Sequence, residues 1–583
     1  MDDNMLEFAQ SYEGVFKPKF EEKVDKFLDT MVQDSAVNVG ENKATSDEYR
    51  GVLKEIDNLN ATLNKHKGWR GFLIFCIVCL FAASIFFLID AVLVDRITSF
   101  PVYVSWIVCA VCLAGGIGLI LYITKVLNKK IQDVDAVLNE KKQLAQNLYN
   151  KAMAQVAPLH NLLNIRHELY KLIEETLPTV KFDRNFNMKR FDLLHGKYGM
   201  PENTDPDQST VSLFSGEVLG NPFVEERRFV MNMGEQTYTG SIVITWTEHY
   251  TDSQGHSHTQ ARSETLYASV TKPRPFYNYI TRFVFACEAA PDLSFSHQPT
   301  HAERLSEAEL KRKIKRDSAA LQKQARREAT SGSGGGFTEM ANQEFDALFN
   351  AEDRDHEVQF RLMFTPLAQK NMLYLMKMPA PYGDDFDFTK SKMLNYITSE
   401  HAQTWQIEED TSQYAKYEVA LCREALKNYY MDFFQRFFFD IAPVMSIPLY
   451  QQHKSHEYIY RDTYERNFTS FESEVLANCF PIDLFAHPDT ATDVILKTSI
   501  EGKSNGTDNL RVEAHSFYMV EHTDYISKLG GDGMMHAVPV DWIEYVPIDR
   551  VSEMDLSDND SRLKGSNAVK KHGLSASFLG NKD

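Results

Sequence analysis

The 583-residue sequence has little of what defines several protein classes. Only 7 cysteines and 28 glycines occur in the whole chain, which excludes a disulfide scaffold and a collagen-like repeat. Basic residues are also the minority, since 62 Lys and Arg stand against 81 Asp and Glu and give a net charge of -19. A nucleic-acid binder needs a basic surface to displace counterions from phosphates, so this balance argues against nucleic acid as a partner.

The common catalytic and nucleotide-binding motifs are missing as well. The sequence contains no G-x-x-x-x-G-K-[ST], no G-x-S-x-G and no H-E-x-x-H pattern. Gly115-Gly116-Ile117-Gly118 has no strand before it and so does not form a phosphate-binding loop. We therefore predict no cofactor and no catalytic residue, and we favour a protein that is not an enzyme.

Two long runs carry no charge, in contrast to the rest of the chain. The first extends from Gly71 to Ile89, and the second fills the gap between Arg96 and Lys125. Each is long enough to cross a hydrocarbon layer of about 30 Å as a helix. We predict transmembrane helices over residues 69–94 and 99–124, with the lipid bilayer as a partner.

Basic residues flank both runs on the sides that lead to the termini. The short connection between the runs offers only Asp95 and Arg96 as charged residues. The flanking residues are Lys65, Lys67, Arg70, Lys125, Lys129 and Lys130. By the positive-inside rule, both termini are cytoplasmic and the chain is a multi-pass protein of the cell (cytoplasmic) membrane.

Apolar residues recur at alternating steps of three and four on the cytoplasmic side of each span. They are Tyr49, Val52, Ile56, Leu59 and Leu63 before the first span, and Leu127, Ile131, Val134 and Leu138 after the second. Such heptad seams with charged flanks are typical of coiled coils. The sequence thus predicts a helical hairpin that crosses the membrane and continues as an antiparallel coiled-coil stalk.

Beyond the stalk the pattern predicts an α+β fold with an antiparallel sheet. Thr237 to Glu248 and Glu264 to Val270 alternate as strands, and so does the stretch from Asp493 to Ile548. His356 to Phe364 also looks like a strand, whereas Thr365-Pro366 offers an N-cap and a first-turn proline for a helix. Ala415 to Ala442 is a strong helix whose aromatic face predicts core packing.

The predicted organisation follows from these patterns. The segments are an N-terminal helical segment (1–43), a coiled-coil helix (44–68), transmembrane helix 1 (69–94), transmembrane helix 2 (99–124), a coiled-coil or helical stalk (125–178), a β-rich cytosolic domain (179–380) with a charged helix (301–328) and a Gly/Ser linker (330–336), a second α+β region (381–550) and a disordered tail (551–583).

Three histidines near the tip of the first predicted hairpin are the best candidates for a metal site. With Ser253-Gln254 as a two-residue loop, His249 faces His258, and His256 shares the face of His258. Three imidazoles on one face could bind zinc, although exposed hairpin tips also collect histidine without any such role. The metal site is the less favoured interpretation.

One basic cluster interrupts the acidic sequence, Lys311-Arg312-Lys313-Ile314-Lys315-Arg316. It could contact an anionic inner leaflet, where each charge contributes about 1 kcal/mol near the surface. We favour the alternative, a solvated helix face balanced by Glu303, Glu307 and Glu309.

The order of parts resembles a family of uncharacterised bacterial two-span membrane proteins with a cytosolic β-rich domain. The residues that carry the resemblance are Ser215-Gly216-Glu217-Val218-Leu219-Gly220, Phe345-Asp346, and Phe360 to Pro366, within residues 45–380. The resemblance implies a bacterial cytoplasmic membrane and a cytosolic domain; it implies no activity and no functional residue.

Two functions remain open after these observations. The first is a membrane-anchored cytosolic interaction or scaffold protein that binds a protein partner or a second copy of itself. The alternative is a membrane-tethered metal-dependent enzyme that uses His249, His256 and His258. Metal analysis of the purified protein distinguishes the two.

Overall fold

The computed structural model describes residues 3–92, 101–163, 165–251, 256–331, 337–351, 353–403, 411–452, 454–459, 468–504, 507–558 and 568–582. About 50% of the chain is helical and 30% is in antiparallel strands, which confirms the mixed composition expected from the sequence. The chain divides into two compact units. The helical unit comprises residues 23–165 and 409–430; the sheet unit comprises residues 1–22, 166–408 and 431–583.

The α-helices have these bounds: α1 Asp3–Leu6, α2 Lys17–Asp34, α3 Val39–Val92, α4 Val102–Tyr122, α5 Asn128–His160, α6 Ile165–Thr176, α7 Met188–Gly196, α8 Glu307–Ser331, α9 Gln343–Phe349, α10 Glu357–Met363, α11 Pro366–Met376, α12 Glu400–Gln403, α13 Val419–Met445, α14 His456–Ile459 and α15 Ser470–Ala477. One π-helical turn, Ile123–Leu127, joins α4 to α5.

The strands are β1 Val180–Phe182, β2 Gln208–Val218, β3 Asn221–Thr251, β4 Ser257–Ala286, β5 Ser294–His297, β6 Phe386–Ser391, β7 Leu394–Ser399, β8 Ile495–Ser504, β9 Thr507–Leu529, β10 Met535–Ser557, β11 Ala568–Lys571 and β12 Leu574–Lys582. They form a seven-stranded sheet in the order β1-β2-β3-β4-β7-β6-β5 and a five-stranded sheet in the order β11-β12-β10-β9-β8.

In the helical unit, α3 is a single helix of 54 residues that contains both the first heptad seam and the first apolar run. Its seam residues pack with those of α5 in one apolar cluster, which includes Val52, Ile56, Leu63, Ile131 and Leu138. Leu59 and Val134 pack against the same cluster. The apolar residues at steps of three and four therefore lie on the faces that α3 and α5 bury against each other.

In the sheet unit, β3 with β4 and β9 with β10 form two long antiparallel hairpins, which we call ribbon 1 and ribbon 2. Ribbon 1 pairs without a register shift from Phe223 with Phe285 to Thr251 with Ser257. The ribbons pack together through the even-numbered faces, and their shared apolar cluster includes Ile244, Leu266, Val538 and Val540. A Cβ atom at Gly240 would lie 1.9 Å from the carbonyl oxygen of Pro539, so only glycine permits this approach.

The aromatic residues of α13 that belong to the sheet unit are core residues, as the sequence predicts. The ring of Phe438 stacks on that of Phe8 at a centroid distance of 4.1 Å, and Phe434 stacks on Phe20 at the same distance. Both α13 side chains are fully buried. The long aromatic face thus secures the N-terminal segment to the sheet unit.

The structure corrects two expectations about local structure. Residues 357–363 form helix α10, so the strand prediction for His356 to Phe364 is wrong. That helix buries Phe360 and Met363, three positions apart, and leaves Val358 and Leu362 exposed. The expected disordered tail instead contains β11 and β12, because Leu574 and Ala576 are buried in the core of the five-stranded sheet. Polar and basic neighbours hide this apolar alternation in the sequence.

Two further boundaries were expected in the middle of the chain. Strands β6 and β7 join the sheet that contains β1 to β5, so that sheet continues past the predicted boundary between 380 and 381. The predicted charged helix is present as α8, which ends at Ser331. Residues 332–336 of the predicted Gly/Ser linker lie outside the described residues.

Candidate functional site

The helical unit exposes a continuous apolar surface, which we call the apolar belt. It consists of the outward side chains of α3 from Trp69 onwards and of α4, two helices long and apolar enough to cross a membrane. Phe75, Val78 and Val111 are 65%, 60% and 65% exposed. Soluble proteins rarely expose contiguous apolar patches of this kind, which mark surfaces for lipid or protein.

Three polar side chains of the belt helices, Ser84, Asp90 and Ser105, are buried between α3 and α4. The Ser105 hydroxyl donates to Asp90 Oδ2 at 2.7 Å, and the Ser84 hydroxyl donates to the Cys109 carbonyl at 3.3 Å. All four residues are buried. These buried polar groups thus have hydrogen-bond partners within the pair of helices.

The outer face of ribbon 1 is the second unusual surface, and we call it the hydroxyl face. It consists of the odd-numbered positions from Thr237 to His249 on β3 and from Thr259 to Thr271 on β4, all of them exposed. Seven of these fourteen residues are Thr and three are Ser, and none is Asp, Glu, Lys or Arg. In a chain that is 25% charged, this face is a distinct uncharged surface.

The three hairpin histidines are placed differently from the sequence prediction. The register pairs His249 with Thr259 and Tyr250 with His258, so the predicted pairing of His249 with His258 is wrong by one residue. His249 Nδ1 lies 3.0 Å from the Thr259 hydroxyl, and the His258 ring stacks on Tyr250. Because side chains alternate along a strand, His249 and His258 lie on opposite faces of ribbon 1.

His256 comes just before β4 and is exposed. Residues 252–255, which complete the hairpin tip, lie outside the described residues. Within the described ranges, no group of three or more His, Cys, Asp or Glu side chains is placed to hold a metal ion. The last observed pair, Thr251 with Ser257, leaves five residues between the paired strands, whereas the prediction assumed two.

The sheet unit contains a buried ionic cluster around His401 that the sequence did not reveal. His401 Nδ1 lies 2.5 Å from Asp385 Oδ2, and Nε2 lies 3.3 Å from Asp440 Oδ1. The Arg436 guanidinium donates to the His401 carbonyl at 2.8 Å. Glu225 is buried beside Asp440, and its Oε2 has no hydrogen-bond partner among the described residues.

The electrostatics of this cluster favour a permanently charged imidazolium. Burial alone would lower the pKa of His401, but the carboxylates of Asp440 and Asp385 raise it to about 10. Burial, and next the charge of Asp440, raise the pKa of Glu225 well above its ordinary range. An imidazolium with both nitrogens beside carboxylates cannot accept a proton at neutral pH, so the cluster links α12, α13 and the loop before β6 and does not serve as a general base.

A cavity of about 840 Å³ lies near this cluster, with Tyr382 in its wall. The Tyr382 ring lies 4.8 Å from the ring of His401 and stacks on Phe439 at 4.5 Å. The two lysines in the wall are already paired, Lys370 with Glu7 at 2.7 Å and Lys377 with Glu344 at 2.5 Å. The cavity therefore has an aromatic wall beside paired charges.

The basic cluster on α8 is partly neutralised by acidic neighbours on the same helix. Lys313 pairs with Asp317 at 3.0 Å, and Arg316 pairs with the same carboxylate at 2.7 Å. The sequence analysis expected the upstream glutamates to balance this cluster, but Asp317 is the partner of Lys313 and Arg316. Of those glutamates, Glu307 lies 4.0 Å from Lys311. Pairing within one helix, with Arg316 at the surface, is what a solvated helix face provides.

Comparisons of the chain with protein-family models, with curated protein sequences and with solved structures gave no match. The chain's own residues therefore carry the functional inference.

Proposed function

We propose that this chain is a membrane-anchored cytosolic interaction or scaffold protein. The exposed apolar belt of α3 and α4 is the observation that supports this most strongly, because transferring such side chains from water to lipid is favourable by about 25 cal/mol per Å². The belt is the bilayer-facing surface, and the sheet unit is the part that meets a partner. Both termini are cytoplasmic, at the cytoplasmic membrane of a bacterium.

Membrane integration and topology have direct tests. The full chain should remain in the membrane pellet after washing with alkaline carbonate, which releases peripheral proteins. A reporter that is active only outside the membrane, fused after Asp583, should stay silent. Strong activity of that reporter contradicts the topology, and release by carbonate contradicts the anchor.

We propose further that α3 and α5 form an antiparallel coiled-coil stalk as they leave the membrane. The apolar cluster that contains Ile56, Leu63, Ile131 and Leu138 supports this arrangement. In a variant without the native cysteines, Cys at 59 and 134 should form a bridge within one chain under mild oxidation, since facing seam positions lie within disulfide reach. Bridges that form only between chains would assign the seam to a dimer.

The hydroxyl face of ribbon 1 is the surface that we assign to a protein partner or a second copy. A face without charge lets another acidic surface approach an acidic protein without like-charge repulsion, and the threonine methyl groups supply apolar contact. Each strand covers thirteen residues of the face, which at about 3.4 Å each give a face roughly 44 Å long but only two strands, roughly 10 Å, wide. This is small for a stable interface of about 800 Å² per partner, so the contact depends on confinement of both partners to the membrane.

A pull-down from detergent-solubilised membranes tests this assignment. Thr245→Lys with Thr265→Lys places two charges on the hydroxyl face, and Gln260→Lys places a charge on the opposite face of the same exposed hairpin as the matched control. We expect the double variant to lose at least tenfold of the co-purified partner or second copy, while the control retains it. Equal recovery from both variants would move the interaction to another surface.

A further inference from the structure

A second cavity of the sheet unit, of about 470 Å³, has a different chemistry from the one beside Tyr382. It lies between the loop that precedes β2, the start of α15, and strands β8 and β9. Its wall includes several hydroxyl groups, among them those of Ser470, Ser473 and Thr498, and Phe468 provides an aromatic surface. Its volume is at the lower end of the ~300–1,000 Å³ typical of ligand pockets, which suits one or two small rings.

The lysine in the wall has no free donor to offer an anionic ligand. Lys497 is the one lysine among the described residues of this wall, and its three protons are already used. Its Nζ donates to the carbonyls of Asn203 at 2.8 Å and Gln208 at 2.9 Å, and to Glu474 Oε1 at 2.5 Å. An ammonium group with three partners has no donor left for a phosphate or carboxylate.

The acceptors of the cavity, in contrast, are held in fixed positions. The Glu202 carboxylate accepts from the backbone N–H of Ser470 at 3.1 Å and from its hydroxyl at 2.5 Å, which orients it and leaves lone pairs for a further donor. Asn203 is only 5% exposed and donates from Nδ2 to Gln208 and Glu474. Its Oδ1 has no partner among the described residues but is enclosed, so the Glu202 carboxylate is the acceptor offered to a ligand.

We propose that this cavity binds a neutral sugar. A sugar ring carries hydroxyl groups on its rim, which donate to carboxylate and amide oxygens, and C–H groups on its faces, which pack on an aromatic ring. Oriented acceptors, wall hydroxyls and Phe468 match both features of such a ligand. This site is separate from the hydroxyl face and does not depend on the proposed membrane anchor.

Saturation-transfer NMR on the full chain tests the site, in a detergent without a sugar headgroup. The probes are methyl β-D-glucopyranoside and N-acetylglucosamine, with inorganic phosphate and propylamine as comparison ligands. We expect saturable binding of at least one sugar with a Kd in the millimolar range. No saturable sugar binding, or tighter binding of phosphate or propylamine, overturns the proposal.

Two variants locate the binding. Glu202→Gln keeps the shape of the side chain and removes the charged acceptor, and Phe468→Leu keeps an apolar group without the aromatic ring. We expect each variant to raise the Kd for the sugar about tenfold, while Glu339→Gln, outside the cavity, leaves the Kd unchanged. If one cavity variant fails to fold, the other decides the matter. Unchanged affinity in a folded cavity variant places the sugar elsewhere and refutes this site.

Discussion

The apolar belt and the hydroxyl face are both exposed and both without charge, yet they suit different surroundings. Belt side chains such as Phe75 and Val111 have no group that can bond to water, whereas most residues of the hydroxyl face carry both a hydroxyl and a small apolar part. The first surface gains free energy by leaving water, and the second loses little by staying in it. Lack of charge alone therefore does not indicate a membrane; the hydrogen-bonding capacity of the surface does.

The largest loss of stability is expected from a substitution in the buried ionic cluster, which neither exposed surface contains. His401→Gln leaves Asp385 and Asp440 without a cation, and breaking a buried ion pair in this way costs about 3–5 kcal/mol. Thermal unfolding, followed by circular dichroism, should show a lower Tm. His487→Gln is the control, because its partner Asp489 is exposed. A Tm equal to that of the control would mean that the cluster is not structural.

The same cluster predicts a pH dependence. His401 holds its proton more tightly in the folded state, with a pKa of about 10, than the ordinary value of 6.5 in the unfolded chain. Its contribution to stability is therefore complete below about pH 6.5 and is lost as the pH rises towards 10. The raised pKa of Glu225 acts in the same direction. His401→Gln should have a flatter Tm profile across this range than the wild type.

A charge in the apolar belt should have the next largest effect. Phe75→Asp places a carboxylate at the fifth residue of the first apolar run, and such a residue disfavours insertion by up to about 2.5–3.5 kcal/mol, the cost at a helix centre. We expect a reduced fraction of the protein in carbonate-washed membranes, with Phe75→Leu as the control. Full retention of the aspartate variant would indicate that α3 is not in contact with lipid.

A smaller effect on stability is expected in the packed ribbons, where a substitution on the buried face should cost more than one on the exposed face. Val538 is fully buried between the ribbons, and Val243 is 69% exposed on the hydroxyl face. Val538→Ala removes two buried methylene equivalents, which costs about 1.6 kcal/mol or somewhat more if a cavity remains. Val243→Ala should cost less than about 0.5 kcal/mol. Hydrogen exchange of the ribbon amides, compared between the two variants, measures the difference.

The smallest effect is expected at the hairpin histidines. Replacing His249, His256 and His258 together by Ala should change neither the bound-metal content nor the Tm, because His249 and His258 lie on opposite faces of an exposed ribbon. Metal analysis of both purified proteins provides the measurement. Stoichiometric zinc that disappears in the variant would establish the metal-dependent alternative.

Local features were predictable from the sequence, and long-range ones were not. Thr365 caps α11, whose first residue is Pro366, as the residue types dictate. The apolar seams of α3 and α5 were also visible, since they repeat over many turns. The strand prediction failed for residues 358–364, because the apolar residues there fit the two-residue period of a strand as well as the period of a helix. The register of ribbon 1 required the turn length, which residue types alone do not supply.

The ionic cluster and the sugar cavity lay beyond sequence reasoning for a different reason. Glu225, Asp385, His401 and Asp440 are spread over more than two hundred positions and form no motif with a fixed spacing. The fold brings them together, through a strand, a loop and two helices. The pair Asp384-Asp385 was the only local signal, and each of its members meets a different histidine, His297 and His401 respectively.

Helix α3 continues without a break from its packing seam into the apolar belt. Its 54 residues span about 80 Å at 1.5 Å each, and no proline interrupts it. The angle of its apolar belt is therefore locked to the angle of its packing seam against α5. Inserting one residue between Leu63 and Gly71 would turn one part against the other by about 100°, whereas inserting seven would nearly restore their phase. A rotation of the packing seam would therefore turn the apolar belt by the same angle.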